Sequence, residues 1–273
     1  MVLLTKGNIV FAENGKITSK KNGSIILKAG MEPGEKDIYD STVKFEGTTP
    51  QVEILGEGRI KIYYNPTEGK KDHKYKNPTN YSESPTLETY MLVNDIYDLQ
   101  GITACLFGSY ALNQDIDASP TKTWNEGFFP IKEWGAEKPA PFSGIFDGNN
   151  YVIKNLYINR PNEEMVGLFG DITGVNRYRA VLRNLIVENA VISGKRCVGV
   201  VFGQATEINM LGIFVNNSKI RSEADFGKVG GCVLVNKYKS VSSNNTFLYK
   251  NGIKSKTNNK LFGSCVHCED NSQ

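Results

Sequence analysis

Between Phe142 and Gly203 the chain alternates apolar and polar positions in short bursts, FSGIFDGNNYVIKNLYINRPNEEMVGLFG and onward, each burst cut by Gly, Asn or Ser. A period of two over four to eight residues is the mark of a half-buried strand, and the Gly and Asn breaks are turn signals. Two near-copies of one unit lie in this stretch. Ile153-Lys154-Asn155-Leu156-Tyr157-Ile158 returns as Leu182-Arg183-Asn184-Leu185-Ile186-Val187, and Val166-Gly167-Leu168-Phe169-Gly170 returns as Val198-Gly199-Val200-Val201-Phe202-Gly203. The unit goes on in weaker form: Gly167, Gly199 and Gly230 recur 32 and then 31 residues apart, and another step lands on Leu261-Phe262-Gly263. A repeat with only two or three short strands cannot bury its own apolar face and must stack on its neighbours. The pattern therefore predicts an all-β chain, a right-handed parallel β-helix in which Gly144, Gly148, Gly167, Gly170, Gly199, Gly203 and Gly230 recur as structural positions. The recurring Asn155, Asn159, Asn184, Asn189, Asn217 and Asn251 are expected at corners, where asparagine tolerates left-handed φ and stacked amides form ladders.

The first 64 residues read the same way. Short β-prone runs (Asn8–Phe11, Lys16–Thr18, Ser24–Ala29, Thr42–Phe45, Val52–Leu55, Arg59–Tyr64) are separated by Asn14-Gly15, Asn22-Gly23, Pro33-Gly34 and Glu57-Gly58. Periodicity alone does not separate β-helix layers from a string of hairpins here. Residues 65–89 are polar and proline-punctuated and read as a loop or linker. Residues 90–263 form the repeat region and 264–273 a tail. One helix is expected near 92–102: Leu92, Val93, Ile96, Leu99 and Ile102 fall at helical spacing, Asn94 or Asp95 is a cap and Gly101 a stop. It would cap a layer or cover a sheet edge.

Two stretches carry a resemblance. GNIVFAENGKITSKKNGSIILKAG, followed by GTTPQVEILGEGRIKIYYNP, resembles the late part of the haemagglutination-activity (two-partner secretion) domain of filamentous-haemagglutinin-like bacterial adhesins. The succession from Tyr110 through Phe142-Ser143-Gly144-Ile145-Phe146-Asp147-Gly148 to Gly167-Leu168-Phe169-Gly170 is similar to the GLUG-type repeats of the same adhesins. The resemblance is close over Tyr110 to Gly203 and fades afterwards; the N-terminal secretion signature is absent. It implies a secreted or cell-surface adhesin or haemagglutinin segment, a non-catalytic rod with host or cell-surface glycans or proteins as partners, exported with an outer-membrane transporter. It implies no catalytic residues and no cofactor.

Composition adds limits. The chain has 273 residues, 40% of them hydrophobic, with net charge +3. No apolar run reaches the roughly 20 residues of a membrane span, and Met1–Thr5, interrupted by Lys6, is too short for a signal-peptide core. Seven lysines and no acid lie between Phe226 and Cys268; a solvated face is preferred there over a nucleic-acid surface, since no aromatic platform accompanies the charge. The five cysteines are Cys105, Cys197, Cys232, Cys265 and Cys268, an odd number that leaves at least one thiol without a disulfide partner in the monomer. Cys197 and Cys232 sit beside repeat glycines, as core residues would. Cys265-Val266-His267-Cys268 is half of a zinc site and lacks the other ligands.

Catalysis has one candidate group. Asp115 and Asp117 alternate along a strand toward one face, with Asp147 nearby; such carboxylates hold Ca2+ or act as an acid–base pair. The structural reading is preferred, because aspartates before a Ser-Pro or a Gly-Asn-Asn turn bond their own backbone. No phosphate loop, nucleophile elbow or His-Glu metal motif is present. A polysaccharide lyase or hydrolase on the same scaffold, and an inactive structural remnant of a longer protein, are the alternatives to the adhesin. Trp124, Phe128, Phe129 and Trp134 cluster in the Thr121–Pro141 stretch, where they either pack over the sheet or offer rings to sugars; packing is preferred.

Overall fold

The computed structural model describes residues 1–20, 23–30, 41–47, 51–65, 87–133, 135, 139–174 and 180–222, with the backbone of four short strands beyond. The chain divides into two units, Met1–Asn94 with Gly108–Asn113, and Asp95–Phe107 with Gln114–Gln273. Strands dominate both, and all pairings between strands within each unit are parallel.

In the first unit, β1 (Val2–Leu4), β2 (Ile9–Phe11) and β3 (Ile17–Ser19) form one layer. Each lies on a strand of the next: β1 on β4 (Ile25–Lys28), β2 on β5 (Val43–Phe45), β3 on β6 (Val52–Ile54). The first ladder continues through β7 (Ile60–Tyr64), β8 (Leu87–Val93) and β9 (Ser109–Leu112). Because side chains alternate, one row per strand points inward and stacks on the same row of the next layer. Leu27 and Ile62 in that row are fully buried, and Phe11 stacks on Phe45 at 5.1 Å.

Two buried amides, Asn65 and Asn113, and the half-buried Asn94 line the end of this ladder. Asn65 donates to Gly30 C=O, Asn94 to Asn65 Oδ1 and Asn113 to Asn94 Oδ1, each at 2.9 Å. Each Nδ2 in the ladder finds an oxygen one step along it, main-chain at Gly30 and side-chain at Asn65 and Asn94. Asn94, one of the two expected caps, belongs to the ladder instead. Asp95 caps the helix, accepting from the N–H groups of Tyr97 and Asp98.

That helix, α1 (Ile96–Gly101), is shorter than the 92–102 stretch expected. Leu92 and Val93 lie in β8, fully buried and paired with Ala111 and Leu112. A run buried on both faces carries no strand alternation, so spacing alone joins it to the helix that follows. The 65–89 stretch lies outside the described residues except for Asn65 and residues 87–89.

The second unit holds β10 (Ile116–Asp117), β11 (Ile145–Asp147), β12 (Val152–Lys154), β13 (Tyr157–Val166), β14 (Phe169–Thr173), β15 (Ala180–Glu188), β16 (Val191–Val198), β17 (Phe202–Thr206), β18 (Ile208–Asn216), β19 (Lys219–Ser222) and β20 (Cys232–Leu234). β13 pairs with β16 and then β19, β14 with β17 and then β20. β15 receives β11 along its first half, β12 along its second, and β18 on its other side. Val166 stands on Val198 and Phe169 on Phe202, so the two Gly-rich copies do lie one above the other.

The other copy is out of phase with the sequence alignment. Ile153 stands on Val187 and Leu182 on Phe146, so Asn155 and Asn184 occupy different corners. Similar local chemistry, a buried aliphatic residue on each side of a turning Asn (Ile153 and Leu156, Leu182 and Leu185), repeats at both corners and imitates a longer period. The true stacks are Asn155, Asn189 and Asn217, all left-handed at φ 63, 56 and 47, and Gly148, Asn184 and Gly212, of which Asn184 and Gly212 have φ 52 and 65. Asn159 lies within β13 and turns no corner, and Asn251 lies outside the described residues. A third stack was not foreseen. Met165 and Cys197, at φ 55 and 54, turn together where β13 and β16 bend.

At several repeat glycines the cause is close approach. A Cβ on Gly203 would sit 2.4 Å from the Met165 carbonyl carbon, one on Gly167 2.8 Å from Gly199 C=O, one on Gly148 2.2 Å from Asn184 C=O and one on Gly170 2.5 Å from Lys132 Cδ. Gly199 donates to Val166 C=O and Gly144 accepts from Val181 N–H. Gly230 lies outside the described residues.

Candidate functional site

The three aspartates singled out by the sequence are held by their neighbours. Asp115 accepts the Val152 N–H at 2.9 Å and meets Lys154 Nζ at 3.3 Å. Asp117 accepts from the Ser119 N–H and hydroxyl and from Asn155 Nδ2, and the amide of Asn155 leads the hydrogen bonds that lower its pKa. Asp147 is buried; its carboxylate takes Arg183 Nε at 2.6 Å, Asn184 Nδ2 at 3.0 Å and the Asn149 N–H at 2.9 Å. Each therefore ties one layer to the next, and Asp117 and Asp147 also close their own turns through Ser119 and Asn149, as the turn chemistry predicted for them; Asp115 bonds only across layers. Among the described residues no group of three or more His, Cys, Asp or Glu is placed to hold a metal. Cys265, His267 and Cys268 lie outside the described residues. Cys197 is buried against Met165, and Cys105 is half-buried.

The Thr121–Phe142 segment forms its own partial layer. Gly127 bridges Ile158, Ile131 bridges Phe169 and Phe142 bridges Ile172, so the segment covers the exposed edges of β13 and β14. Main-chain bonds fasten it: Phe128 N–H to Tyr157 C=O and Ile131 N–H to Leu168 C=O, both 2.9 Å. The Gln100 side chain on α1 clamps Phe129 through both its N–H and its C=O, at 2.9 Å each. Phe128 is fully buried and Phe129 nearly so, which places these rings in packing. Trp134 lies outside the described residues.

Under the segment lies a set of charges that the sequence did not flag. Arg160, 7% exposed, reaches Glu163 at 2.6 Å and Glu126 at 3.1 Å and lies over the Phe129 ring at 4.9 Å. Lys132, also buried, lies 5.9 Å from that ring and donates to Glu164 C=O at 3.3 Å. Burial pushes the Lys132 pKa down and that of Asp171 up, against the mutual attraction of the two. These charges answer one another, so the set is a fastening for the segment. The set sits where β13 is irregular, its register with β16 shifting between Arg160 and Glu164.

One feature of the segment faces outward. Trp124, half-buried, stands 5.6 Å from Tyr97 on α1 and 6.3 Å from Phe128 behind it. Tyr97 is 46% exposed. Exposed Lys122, Asn125 and Glu126 flank the indole in sequence. A partly exposed aromatic pair can stack a sugar ring or an apolar side chain, while polar neighbours bond hydroxyls or main-chain groups. This shelf is the candidate binding site.

No family model matches the chain, and no solved structure matches it. No helix among the described residues is long and apolar enough to cross a membrane. The chain is similar to halomucin of Haloquadratum walsbyi, with 36% identity over 128 residues that make 45% of this chain and 1% of that protein; it spans a very small part of the curated relative it matches.

Proposed function

We propose that this chain is a non-catalytic, surface-displayed binding module, a right-handed parallel β-helix that presents the Tyr97–Trp124 shelf to glycans or proteins of other cells. The observation that carries the reading is a division of labour among side chains. The carboxylates available for catalysis, Asp115, Asp117 and Asp147, each hold a neighbouring layer or turn, whereas exposed Tyr97 and half-buried Trp124 form an aromatic pair that reaches the surface. Stacked parallel layers support the β-helix, and the likeness to a protein named as a mucin supports a place at the cell surface. The likeness to filamentous-haemagglutinin-like adhesins supports adhesion as the role and two-partner secretion as the route.

The purified chain should bind whole cells or members of a glycan array, and Trp124→Ala should lower that binding about tenfold while leaving the far-ultraviolet spectrum unchanged, as loss of one aromatic anchor of about 1–2 kcal/mol predicts. Absence of binding to every cell and glycan would defeat the adhesin reading. The second reading, a polysaccharide lyase or hydrolase, is favoured by Lys154, which meets Asp115 at 3.3 Å and pairs in register with Asp117. Turnover of a polysaccharide that Asp117→Ala abolishes would establish it in place of the first.

A further inference from the structure

Lysine is almost never buried without an acid beside it, because an ammonium taken out of water loses its hydration. Lys28 departs from that rule. It is the last residue of β4 and only 9% exposed. Its neighbours in register are Leu4 on one strand and Tyr63 on the other, and neither carries a charge. Among the described residues its ammonium makes one side-chain contact, with the Tyr63 ring, whose centroid lies 5.6 Å from Nζ, and no ion pair. That ring is backed in turn by Tyr90, which is fully buried and stacked on it at 5.2 Å.

The carboxylate that shares this row serves other groups. Lys61 and Tyr63 alternate along β7 with the buried Ile60 and Ile62, so they stand in the row of Lys28, as Glu88 and Tyr90 do on β8. Glu88 stands opposite Lys61, two strands away from Lys28. It accepts from Arg59 Nη1 and, at 2.6 Å, from the Tyr90 hydroxyl, and it lies 3.8 Å from Lys61 Nζ. Burial pushes the Lys28 pKa down. An amine freed of its proton by apolar and aromatic surroundings is a nucleophile toward carbonyl carbon.

We propose that Lys28 is a covalent attachment site for a small aldehyde, held as an imine beside the Tyr63 ring. The amine lone pair attacks the carbonyl carbon, and a proton passes from nitrogen to oxygen to give a carbinolamine. The C–O bond then breaks as the C=N bond forms, and the oxygen leaves as water with the second nitrogen proton. Nothing is oxidised or reduced. The class of ligand follows from the surroundings. An unprotonated imine carries no charge and needs no counter-ion, so condensation relieves the unpaired burial, whereas an anion would bring a second charge to be buried. The site lies in the first unit and uses neither Tyr97 nor Trp124, so it stands or falls apart from the adhesion reading.

The unsubstituted chain carries the test, with glycolaldehyde as the probe and cyanoborohydride to fix the imine as a stable amine. Lys16 and Lys154 serve as the comparison, since their side chains are 51% and 42% exposed and each is paired with an acid. At pH 7 peptide mapping by mass should find Lys28 labelled about tenfold faster than either, because each unit by which a lysine pKa falls frees about tenfold more amine. In concentrated urea the preference should vanish, since it comes from the folded surroundings. Lys28→Gln should remove the fast phase of total labelling and leave the slow phase of the other lysines. Labelling at Lys28 no faster than at Lys16 and Lys154, a preference that survives urea, or a fast phase retained in Lys28→Gln would each overturn the assignment.

Discussion

Asparagine carries the bends of the second unit. Asn155, Asn189 and Asn217 follow strands that end in register, and each turns through the left-handed region that costs most residues about 1–2 kcal/mol. At Asn189 the side chain is exposed, so the cost of replacing it is mainly that of the backbone. Asn189→Ala should lower stability by about 1 kcal/mol, whereas Asn189→Gly should be near neutral, by urea unfolding. Equal losses in both variants would locate the contribution in the amide side chain. The corner role was legible in the sequence, because a polar residue with left-handed tolerance recurs between apolar runs. Met165 and Cys197 were not. Neither residue favours φ near 55; Met165 packs its backbone against the bare Cα of Gly203, and Cys197 is buried against Met165.

The Thr121–Phe142 segment shows the same limit for an element. Its composition, rich in aromatics and proline, announced an irregular stretch. Its place over β13 and β14 follows from Arg160, Lys132 and Asp171, which belong to separate stretches of chain and meet only in the folded unit. Burial raises the Asp171 pKa above its unfolded value. In the window between the two the native state binds more protons, so this contribution favours folding at low pH and is lost as pH rises through the folded value. Replacement by asparagine should remove that slope. Urea midpoints of Asp171→Asn and the unsubstituted chain, compared from pH 4 to 7, should therefore converge at the acid end, with the variant the more stable of the two at the neutral end. A variant less stable at every pH would show that the attraction of Lys132 outweighs the burial.

Contacts in the molecule run from layer to layer, between strands about 30 residues apart in the chain. In such an arrangement stability is nearly a sum of layers and their interfaces, and unfolding need not be one event. Denaturant unfolding of the whole chain should therefore show a broad or multistep transition with an apparent m-value below that of a compact domain of this length. Coincident transitions by fluorescence and circular dichroism, with a full-sized m-value, would show cooperativity across the chain that layered contacts do not supply.

The sequence by itself determined that the chain would be built of short strands, that it would repeat, that asparagines would turn its corners and that its aspartates would serve turns. Those properties are local: alternation, side-chain tolerance of left-handed φ and hydrogen bonds to nearby backbone are all set within a few residues. The tertiary structure decided which copy stands on which, where β8 ends and α1 begins, which amides form the ladder through Asn65, Asn94 and Asn113, and which rings stay open to solvent. These depend on burial against residues far along the chain, and a sliding repeat offers several registers of similar local chemistry, of which packing selects one.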